Sequence, residues 1–392
     1  MLDARVASLF GSRVLMHVGL NLIFLVPREM SGLETYAREL TSALLEERRD
    51  LRITAFVNRE AASDGGWREL VPAVTVPVYG RRRSAWVRGE QLLLPRQAQR
   101  AGVDVLHSLA STAPAWGTFS RVVTIHDVIY RIHPDAHDWR SLALRALIPL
   151  AARRSDRVVV PSHSTERNLV RLLKDPREKI DVVPNGIGAP PVARWPPEDE
   201  LRRRYDLGSR PILLTVSLKR PNKNLTRLLE ALSLIPSARR PLLVLVGHAT
   251  PYEQTLRDHA ARLGVGPDTR FLPWIPAEEL EGLYRAAMGF VFPSLYEGFG
   301  LPVLEAMTRG VPVACSNRGA LAEVADDAAL TFDPERPLEI AASIERLLTD
   351  PGERERLRAA GTRNAAKYSW AETARRTLAS YESALEYSRR TT

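Results

Sequence analysis

Two glutamates flank a glycine-rich segment in the stretch SLYEGFGLPVLEAM, residues 294–307. Glu297 stands immediately before the segment GFGLP, and Glu305 stands three residues after its end. Glycines leave backbone N–H groups uncovered, and a helix that begins near Leu301 would direct its positive dipole end at a phosphate. A carboxylate instead accepts hydrogen bonds from hydroxyls, such as those of a sugar or ribose. The stretch therefore predicts a phosphate site between two hydroxyl-binding glutamates, although two isolated glutamates would more simply be surface residues.

Three basic residues follow another apolar run, Ile212–Val216. Lys219, Arg220 and Lys223 lie in the segment SLKRPNKN, where a strand is expected to lead into a helix. Their charges suit the neutralisation of a diphosphate leaving group. A solvated basic turn has the same composition, so this cluster alone does not establish a site.

Two other expected strand ends carry residues that contact ligands in many enzymes. His126 and Asp127 end the stretch RVVTIHD, where they could touch a substrate, although a histidine there is more often a hydrogen-bonded structural residue. Gly32 opens a helical pattern after the first apolar run, Val14–Val26, and would let an anion or a sugar approach the backbone.

Short apolar runs alternate with helical patterns along nearly the whole chain, which is typical of doubly wound α/β domains with parallel sheets. The proline-rich segment 185–200 interrupts the alternation and predicts a linker between two such domains. Ligands bind at the carboxyl ends of the strands in this fold class, where the candidate residues lie. The predicted strands lie at or within Val14–Val26, Leu51–Val57, Val74–Val78, Val103–His107, Arg121–His126, Arg157–Pro161, Ile180–Val183, Ile212–Val216, Leu242–Val246, Arg270–Leu272, Phe290–Phe292, Val311–Ala314 and Leu330–Phe332.

The 392-residue chain has a formal charge of +9, which suits phosphorylated small molecules, anionic lipid or nucleic acid. No nucleic-acid-binding motif accompanies the charge. Arginines cluster with leucine and tryptophan at residues 79–102 and 138–157, which favours either ordinary amphipathic helices or contact with an anionic membrane. The single cysteine, Cys315, excludes an internal disulfide framework. No apolar run is long enough to span a bilayer, so we expect a cytoplasmic protein, at most peripheral at the inner membrane face.

Several catalytic signatures are absent from the sequence. It has no Walker phosphate loop, His-Glu-x-x-His motif or serine nucleophile elbow. The first apolar run is not followed by Gly-x-Gly-x-x-Gly, which argues against a nicotinamide enzyme. Without an Asp-x-Asp motif, a carboxylate-bound catalytic metal is not expected.

The chain resembles the retaining glycosyltransferases of family 4, the group 1 set, whose GT-B fold sets two Rossmann-like domains face to face across a cleft. The most specific likeness is LYEGFGLPVLEAMTRGVPVACSNRGALAEVADDAAL, residues 295–330, which matches their Glu-x7-Glu region. Other matching segments are SLKRPNKNLTRLLEAL, VLVGH, FLPWIPAEELEGLYRAA and YSWAETARRTLASY, and, in the first half, GLNLIFLVPREMSGLETY, VVTIHDVIY, VVVPSHSTERNL and IDVVPNGI. The likeness covers nearly the whole chain beyond residue 15.

The resemblance implies roles for the residues around the glycine-rich segment. Glu297 would contact hydroxyls of the transferred sugar, and Glu305 would hold the ribose of the nucleotide. The loop backbone and the helix start would bind the sugar and the phosphates, through Gly298, Phe299, Gly300 and Leu301.

The basic segment is implied to bind the diphosphate through Lys223, with help from Lys219 or Arg220. The sequence leaves open which of these two contributes. Together with Lys223, the residues implied to act at the reacting atoms are Glu297 and His126.

The remaining implied contacts come from both halves of the chain. Trp274 and Ile275 would border the base of the nucleotide. His126 would lie beside the transferred sugar, and Gly32 would approach the diphosphate from the facing domain.

The resemblance implies an acceptor-side domain at 1–190, a nucleotide-sugar domain at 191–370 and a helix at 371–392 that crosses back. The implied reaction moves a sugar, with a lean toward mannose, from a GDP- or UDP-sugar to a hydroxyl acceptor. Retention is expected, with no metal and no cofactor besides the donor. The acceptor could be a glycan, a lipid-linked molecule or a small molecule, and nucleic acid is not an expected partner. The alternatives are a nucleotide-sugar epimerase of the same fold and a basic nucleic-acid- or membrane-binding protein without catalysis.

Overall fold

The computed structural model describes residues 16–27, 31–132, 144–174, 177–187 and 192–391. The described residues form two fully parallel sheets of seven and six strands, which pack against helices. The doubly wound α/β fold expected from the alternation of apolar runs is therefore confirmed.

The first sheet belongs to the first half of the chain. Its strands are β1 (His17–Leu22), β2 (Arg52–Val57), β3 (Ala73–Thr75), β4 (Val105–Ser108), β5 (Ser120–Thr124), β6 (Arg157–Val160) and β7 (Ile180–Val182). Its helices are α1 (Ser31–Glu47), α2 (Arg59–Asp64), α3 (Gly66–Leu70), α4 (Arg83–Arg88), α5 (Leu94–Ala101), α6 (Ile129–Ile132), α7 (Leu144–Arg154) and α8 (His163–Leu173). The strand order is β3-β2-β1-β4-β5-β6-β7.

The second sheet repeats the same winding. Its strands are β8 (Ile212–Val216), β9 (Leu242–Val246), β10 (Thr269–Leu272), β11 (Ala287–Phe292), β12 (Val313–Ser316) and β13 (Leu330–Phe332). Its helices are α9 (Glu198–Arg204), α10 (Leu225–Leu234), α11 (Tyr252–Arg262), α12 (Ala277–Ala286), α13 (Leu301–Thr308), α14 (Ala320–Ala325), α15 (Pro337–Thr349) and α16 (Pro351–Ala365). The strand order is β10-β9-β8-β11-β12-β13.

The direction of winding reverses once in each sheet. The reversal lies between β1 and β4 in the first sheet and between β8 and β11 in the second. Ligands of doubly wound sheets bind outside the carboxyl ends of the strands at such a reversal. The two loops that leave β8 and β11 carry the basic segment and the glycine-rich segment, so the topology places both at the expected site.

The basic stretch at residues 79–102, for which amphipathic helices were one expectation, contains a π-helical turn, Gly89–Leu93, between α4 and α5. Pro95 has no N–H and cannot donate to the carbonyl of Gln91, four residues earlier, so the regular hydrogen-bond pattern is interrupted. The indole N–H of Trp116 donates to that carbonyl instead, at 2.7 Å. A proline and a tryptophan that is distant in sequence thus explain the irregular turn.

The final helix, α17 (Trp370–Thr391), packs on the first sheet rather than on the second. Its apolar face enters the core of the first domain through Ala374, Leu378, Tyr381 and Ala384. The hydroxyl of Tyr381 lies 2.8 Å from His107 Nδ1 at the end of β4, and Trp370 Nε1 donates to the carbonyl of Ile187. The first domain is therefore assembled from both ends of the chain.

Two predicted segments differ from the structure in extent. The linker predicted at 185–200 is shorter because α9 already begins at Glu198, after Pro197, where three acidic residues suit the first turn of a helix. The basic stretch 138–157 lies only partly within the described residues, which include α7 and β6. No helix of the described chain is long and apolar enough to cross a membrane.

Candidate active site

The loop between β11 and α13 presents backbone N–H groups rather than side chains. Among the described residues, none of the N–H groups from Glu297 to Leu301 has a hydrogen-bond partner. Gly300 ends the loop with a φ of 127°, which favours glycine, and Pro302 lies in the first turn of α13, where its missing N–H costs little. Since no described side chain caps this turn, the start of α13 can accept an anion.

The same loop touches the first domain at Gly298. A Cβ atom at Gly298 would lie 1.9 Å from the carbonyl oxygen of His126, so only glycine fits there. His126 and Asp127 follow β5 in the first sheet. The contact therefore joins the carboxyl-end loops of the two sheets across the cleft.

Loops from both domains line a cavity of about 210 Å³ at this junction. Lys223 ends a 3₁₀ turn after β8, and its Nζ lies 2.5 Å from Oε1 of Glu297. The lining residues are Asp127, Ile129, Leu218, Arg220, Asn222, Lys223, Tyr296, Glu297 and Gly298. The structure thus brings together Lys223, Arg220, Glu297 and Gly298 from the predicted set.

Lys219 does not line this cavity. Its side chain is buried, and Nζ donates to the carbonyls of Gly247, at 2.6 Å, and Leu272, at 2.8 Å. Burial lowers the pKa of Lys219, while the ion pair with Glu253, at 3.3 Å, opposes that shift. Arg220, by contrast, is exposed and lies beside Lys223. Of the two residues, Arg220 therefore lines the cavity, and Lys219 joins the ends of β9 and β10.

Glu305 lies one turn into α13, outside the lining of the 210 Å³ cavity. The hydroxyl of Tyr284 donates to its Oε2 at 3.4 Å, and Arg309 donates to its backbone carbonyl at 3.1 Å. Burial raises the pKa of Glu305, and the charge of Arg309 opposes this. The carboxylate is held in place by neighbours and keeps acceptor capacity for a hydroxyl pair.

Trp274 and Ile275 lie beyond β10 in different environments. The indole of Trp274 is 58% exposed and stacks on the ring of His248, with centroids 6.3 Å apart and planes 15° apart. Ile275 is buried in the core of the second domain, so its side chain faces away from solvent. A flat base would therefore meet the aromatic pair, and Ile275 could contribute only its backbone.

His126 is fixed by its neighbours in the first domain. Its Nε2 donates to the carbonyl of Leu109 at 2.8 Å, and its ring packs edge-on against Tyr36 with centroids 4.7 Å apart. Burial lowers the pKa of His126, which favours a neutral ring with Nδ1 unprotonated.

Gly32 lies in open surroundings at the start of α1. A Cβ atom on Gly32 would meet nothing within 4 Å, so packing does not explain the glycine at that position.

Several residues of the site were not among the predicted ones. Asn222 and Tyr296 line the cavity, and His248 supports Trp274. All three lie inside segments that resemble the family, but their residue types carry no chemistry that would single them out. The only sequence signal that could have pointed to them was their position, which is next to a predicted site residue or just after a strand.

A second cavity of about 480 Å³ adjoins the first on the side of the first domain. The two share Asp127, Ile129 and Arg220. Its other walls are mainly apolar and include Phe24 and Trp86. A second substrate bound in this cavity would therefore lie next to a ligand in the 210 Å³ cavity.

Two family descriptions match the chain in succession. "Glycosyltransferase Family 4" matches residues 30–189, and "Glycosyl transferases group 1" matches residues 197–364. The first match lies in the first domain and the second in the second domain, so the boundary between them coincides with the linker.

Individual relatives extend over most of the chain. The O-antigen chain mannosyltransferase B of Escherichia coli is 29% identical over 344 residues, which cover 84% of this chain and 83% of that protein. A D-inositol 3-phosphate glycosyltransferase of Acidothermus cellulolyticus is 30% identical over 346 residues, 84% of this chain and 70% of that protein. The structure of Anabaena Alr3699/HepE in complex with UDP and glucose covers 93% of this chain and 98% of its own, with a TM-score of 0.72 and 19% identity. The chain therefore belongs to the group 1, family 4 glycosyltransferases and has the GT-B fold.

Proposed function

We propose that the protein moves a sugar from a nucleoside diphosphate sugar to a hydroxyl acceptor with retention of the anomeric configuration. Family membership establishes sugar transfer in glycan biosynthesis, and the site supports the finer statement. The observation that carries it is the cavity where Lys223 and Glu297 meet beside Gly298, in the loop of uncovered N–H groups that leads into α13.

In this proposal the bound donor separates the Lys223–Glu297 ion pair, and each of the two residues binds a different end of the donor. The diphosphate takes the ammonium of Lys223 and the N–H groups of the loop, and Arg220 adds a second positive charge. Glu297 is then available to accept hydrogen bonds from hydroxyls of the sugar. These fixed charges stabilise the departing diphosphate, so the proposed reaction needs no metal ion.

The acceptor hydroxyl attacks the face from which the diphosphate leaves, through an oxocarbenium-like state, and the leaving diphosphate takes the acceptor's proton. Asp127 also lines the cavity, but its Oδ1 already accepts the N–H of Ile129 at 3.0 Å. We therefore expect an Asp127→Asn variant to retain turnover. If Asp127 were a covalent nucleophile, the same variant would lose turnover.

The adjoining 480 Å³ cavity is the proposed entrance for the acceptor. It opens from the first domain, and its shared residues Asp127 and Arg220 place an acceptor group next to the sugar end of the donor. Its apolar walls, with Phe24 and Trp86, suit an acceptor that carries apolar surface beside its hydroxyl.

We propose GDP-mannose as the first donor to test, since the E. coli relative is named a mannosyltransferase, and UDP-sugars next, since the HepE structure holds UDP and glucose. A thermal-shift screen against UDP, GDP, ADP and their sugar conjugates identifies the base. Turnover with the stabilising donor, followed by NMR of the product and repeated in EDTA, tests retention and metal independence. If no nucleotide sugar raises the melting temperature or is turned over, the proposal is wrong. Interconversion of free nucleotide sugars would instead indicate an epimerase.

We further propose peripheral contact with anionic membrane on the cytoplasmic side. Tyr79, Leu92 and Trp116 are exposed on the first domain, and the guanidinium groups of Arg59 and Arg82 lie over the ring of Tyr79 at 5.4 and 5.9 Å. Apolar side chains flanked by arginine suit an anionic interface. Sedimentation with phosphatidylglycerol vesicles but not with phosphatidylcholine vesicles is the expected result, and equal sedimentation with both would contradict it.

A further inference from the structure

We propose that the first turn of α8, in the first domain, latches onto the second domain and holds the donor loop, residues 296–300, in its binding conformation. The inference rests on the proposed donor site for its functional meaning. It assigns positioning roles to Ser162, Thr165 and Glu323, none of which lines the donor cavity.

Two hydroxyls of the first domain fix the carbonyl group of Gly298. Ser162 is the N-cap residue of α8, and its Oγ donates to Gly298 O at 2.7 Å, while Thr165 Oγ1 donates to the same oxygen at 3.2 Å. Both side chains are fully buried, so water does not compete for these bonds. In a trans peptide the carbonyl and the following N–H point in opposite directions. Fixing the carbonyl of Gly298 therefore also fixes the N–H of Phe299, one of the loop's uncovered donors.

A carboxylate of the second domain also binds the start of α8. The two oxygens of Glu323, on α14, accept the N–H groups of His163, at 3.0 Å, and Ser164, at 3.1 Å. These N–H groups lie at the positive end of the α8 dipole, where a negative charge is stabilising. The anion site at the start of α8 is thus filled by a carboxylate of the chain itself, whereas no described side chain caps the start of α13.

A third contact extends the latch along α8. Asn168, one turn further on, donates to the hydroxyl of Tyr296, at 3.3 Å, at the beginning of the donor loop. The loop is therefore held at Tyr296 and Gly298 by one helix of the opposite domain. Because these bonds cross the cleft, they exist only while the domains are closed. The apparent donor affinity should then depend on the closed fraction of the protein.

The test compares Glu323→Gln with a matched control, Glu355→Gln, on the exposed surface of α16. Glutamine keeps the size of Glu323 but loses its charge and one acceptor. We expect the donor KM to rise about tenfold while kcat stays within about threefold, since saturating donor restores closure. Small-angle X-ray scattering without donor should show a larger radius of gyration for Glu323→Gln than for the wild type and for Glu355→Gln.

The partner side of the latch can be changed independently. His163→Pro removes one of the two N–H groups that Glu323 accepts, at the first helical position, where proline is favoured. His163→Ala keeps that N–H and is its control. If the latch exists, the effects of Glu323→Gln and His163→Pro on donor KM are not additive. Melting temperatures of all variants identify any that fail to fold.

The outcomes separate the latch from the proposed function. Equal scattering and equal donor KM for Glu323→Gln and Glu355→Gln would overturn the latch. Fully additive effects of Glu323→Gln and His163→Pro on donor KM in the double variant would also overturn the latch. A wild-type protein that neither binds nor turns over a nucleotide sugar would instead overturn the proposed function, and the scattering comparison would still decide whether the latch exists.

Discussion

Lys219 and Arg220 are adjacent and carry the same formal charge, but the fold gives them different environments. Lys219 is buried and joins the carbonyls of Gly247 and Leu272, which end neighbouring strands. Arg220 is exposed and lines the cavity that holds Lys223. The first residue therefore fixes the strand ends near Trp274, and the second is proposed to supply charge to a phosphate.

Replacing each residue should separate these two effects. Lys219→Met removes the link between the strand ends, so it should weaken binding of the preferred nucleoside and of its diphosphate to a similar degree, about tenfold. Arg220→Ala should weaken binding of the diphosphate far more than of the nucleoside. Isothermal titration with both ligands measures this, and a diphosphate-selective loss in Lys219→Met would contradict the assignment.

The two glutamates of the glycine-rich region should respond differently to truncation. Glu305→Ala removes the carboxylate expected to hold the ribose, so nucleotide affinity should fall about tenfold or more. Glu297→Ala should chiefly lower kcat, because its hydroxyl contacts act at the transferred sugar. Calorimetry for the first variant and steady-state rates for the second check this. Unchanged nucleotide affinity in Glu305→Ala would contradict the assignment of Glu305 to the ribose.

From residue types and spacing alone, the sequence singled out Lys223, Glu297 and Gly298, which the structure brings to one cavity. Glu297 and Lys223 are 74 residues apart yet form one ion pair, because their loops leave adjacent strands of the second sheet. The burial of Lys219 was not predictable from sequence. It depends on two carbonyls from distant strand ends meeting around one ammonium, which no local pattern encodes.

At the scale of the element, the π-helical turn between α4 and α5 places a carboxyl group inside the first domain. Glu90 is buried, and its Oε1 accepts hydrogen bonds from Asn21 and Thr112, each at 2.9 Å. Burial raises the pKa of Glu90 to about 7, and these bonds only partly oppose that shift. The turn thus holds a carboxyl group that titrates near neutral pH.

This group should make stability depend on pH. The folded state binds the proton more tightly than the unfolded chain between about pH 4.5 and pH 7, so stability falls as pH rises through that window. Glu90→Gln removes the titration, so its stability relative to the wild type should rise by about 3 kcal/mol from pH 4 to pH 8. Urea unfolding at both values measures it, and a pH-independent difference would contradict the prediction.

The loop before α13 should not tolerate a side chain at Gly298. Alanine there would place Cβ 1.9 Å from the carbonyl oxygen of His126, so the domains would have to separate. We expect Gly298→Ala to lose more than about 100-fold in kcat/KM while the nucleotide still binds the second domain. Gly266→Ala, with open space around its Cβ and outside the named site residues, is the packing control. Near-wild-type turnover of Gly298→Ala would contradict the interdomain contact.

Elements with strong local patterns were predictable from sequence, and those fixed by distant contacts were not. Every predicted strand has a counterpart, because each buried parallel strand is a short apolar run bounded by turn residues. Short helices such as α2, α3 and α14 are not predictable from local pattern, since five or six residues carry too little periodicity. The π-helical turn was missed because it depends on Trp116 as well as on Pro95.

At the scale of the whole molecule, the two domains meet at their strand ends and are also tied by α17. That helix completes the core of the first domain although it follows the second domain in sequence. Tyr381, packed against His107, is fully buried in this interface. The cleft therefore lies between domains connected twice, by the linker and by the return to α17.

Removal of residues 370–392 should unfold the first domain selectively. The deletion exposes apolar surface of the first core, at a cost of about 5 kcal/mol or more, and leaves the second core intact. Limited proteolysis should then leave a protected fragment that begins near residue 192. Tyr381→Phe is the mild comparison, with a loss of about 1–3 kcal/mol. A truncated protein that melts like the full chain would contradict this.

The position of α17 also has a consequence for biosynthesis. The first half of the chain emerges from the ribosome with one side of its sheet still lacking the helix that covers it. That side is closed only after the residues of α17 have been translated, so the nascent first domain passes through a long interval with exposed apolar surface. Messages truncated before the codons of α17 should therefore yield products that chaperones or proteases recognise, even though nearly every residue named in the cleft has been made.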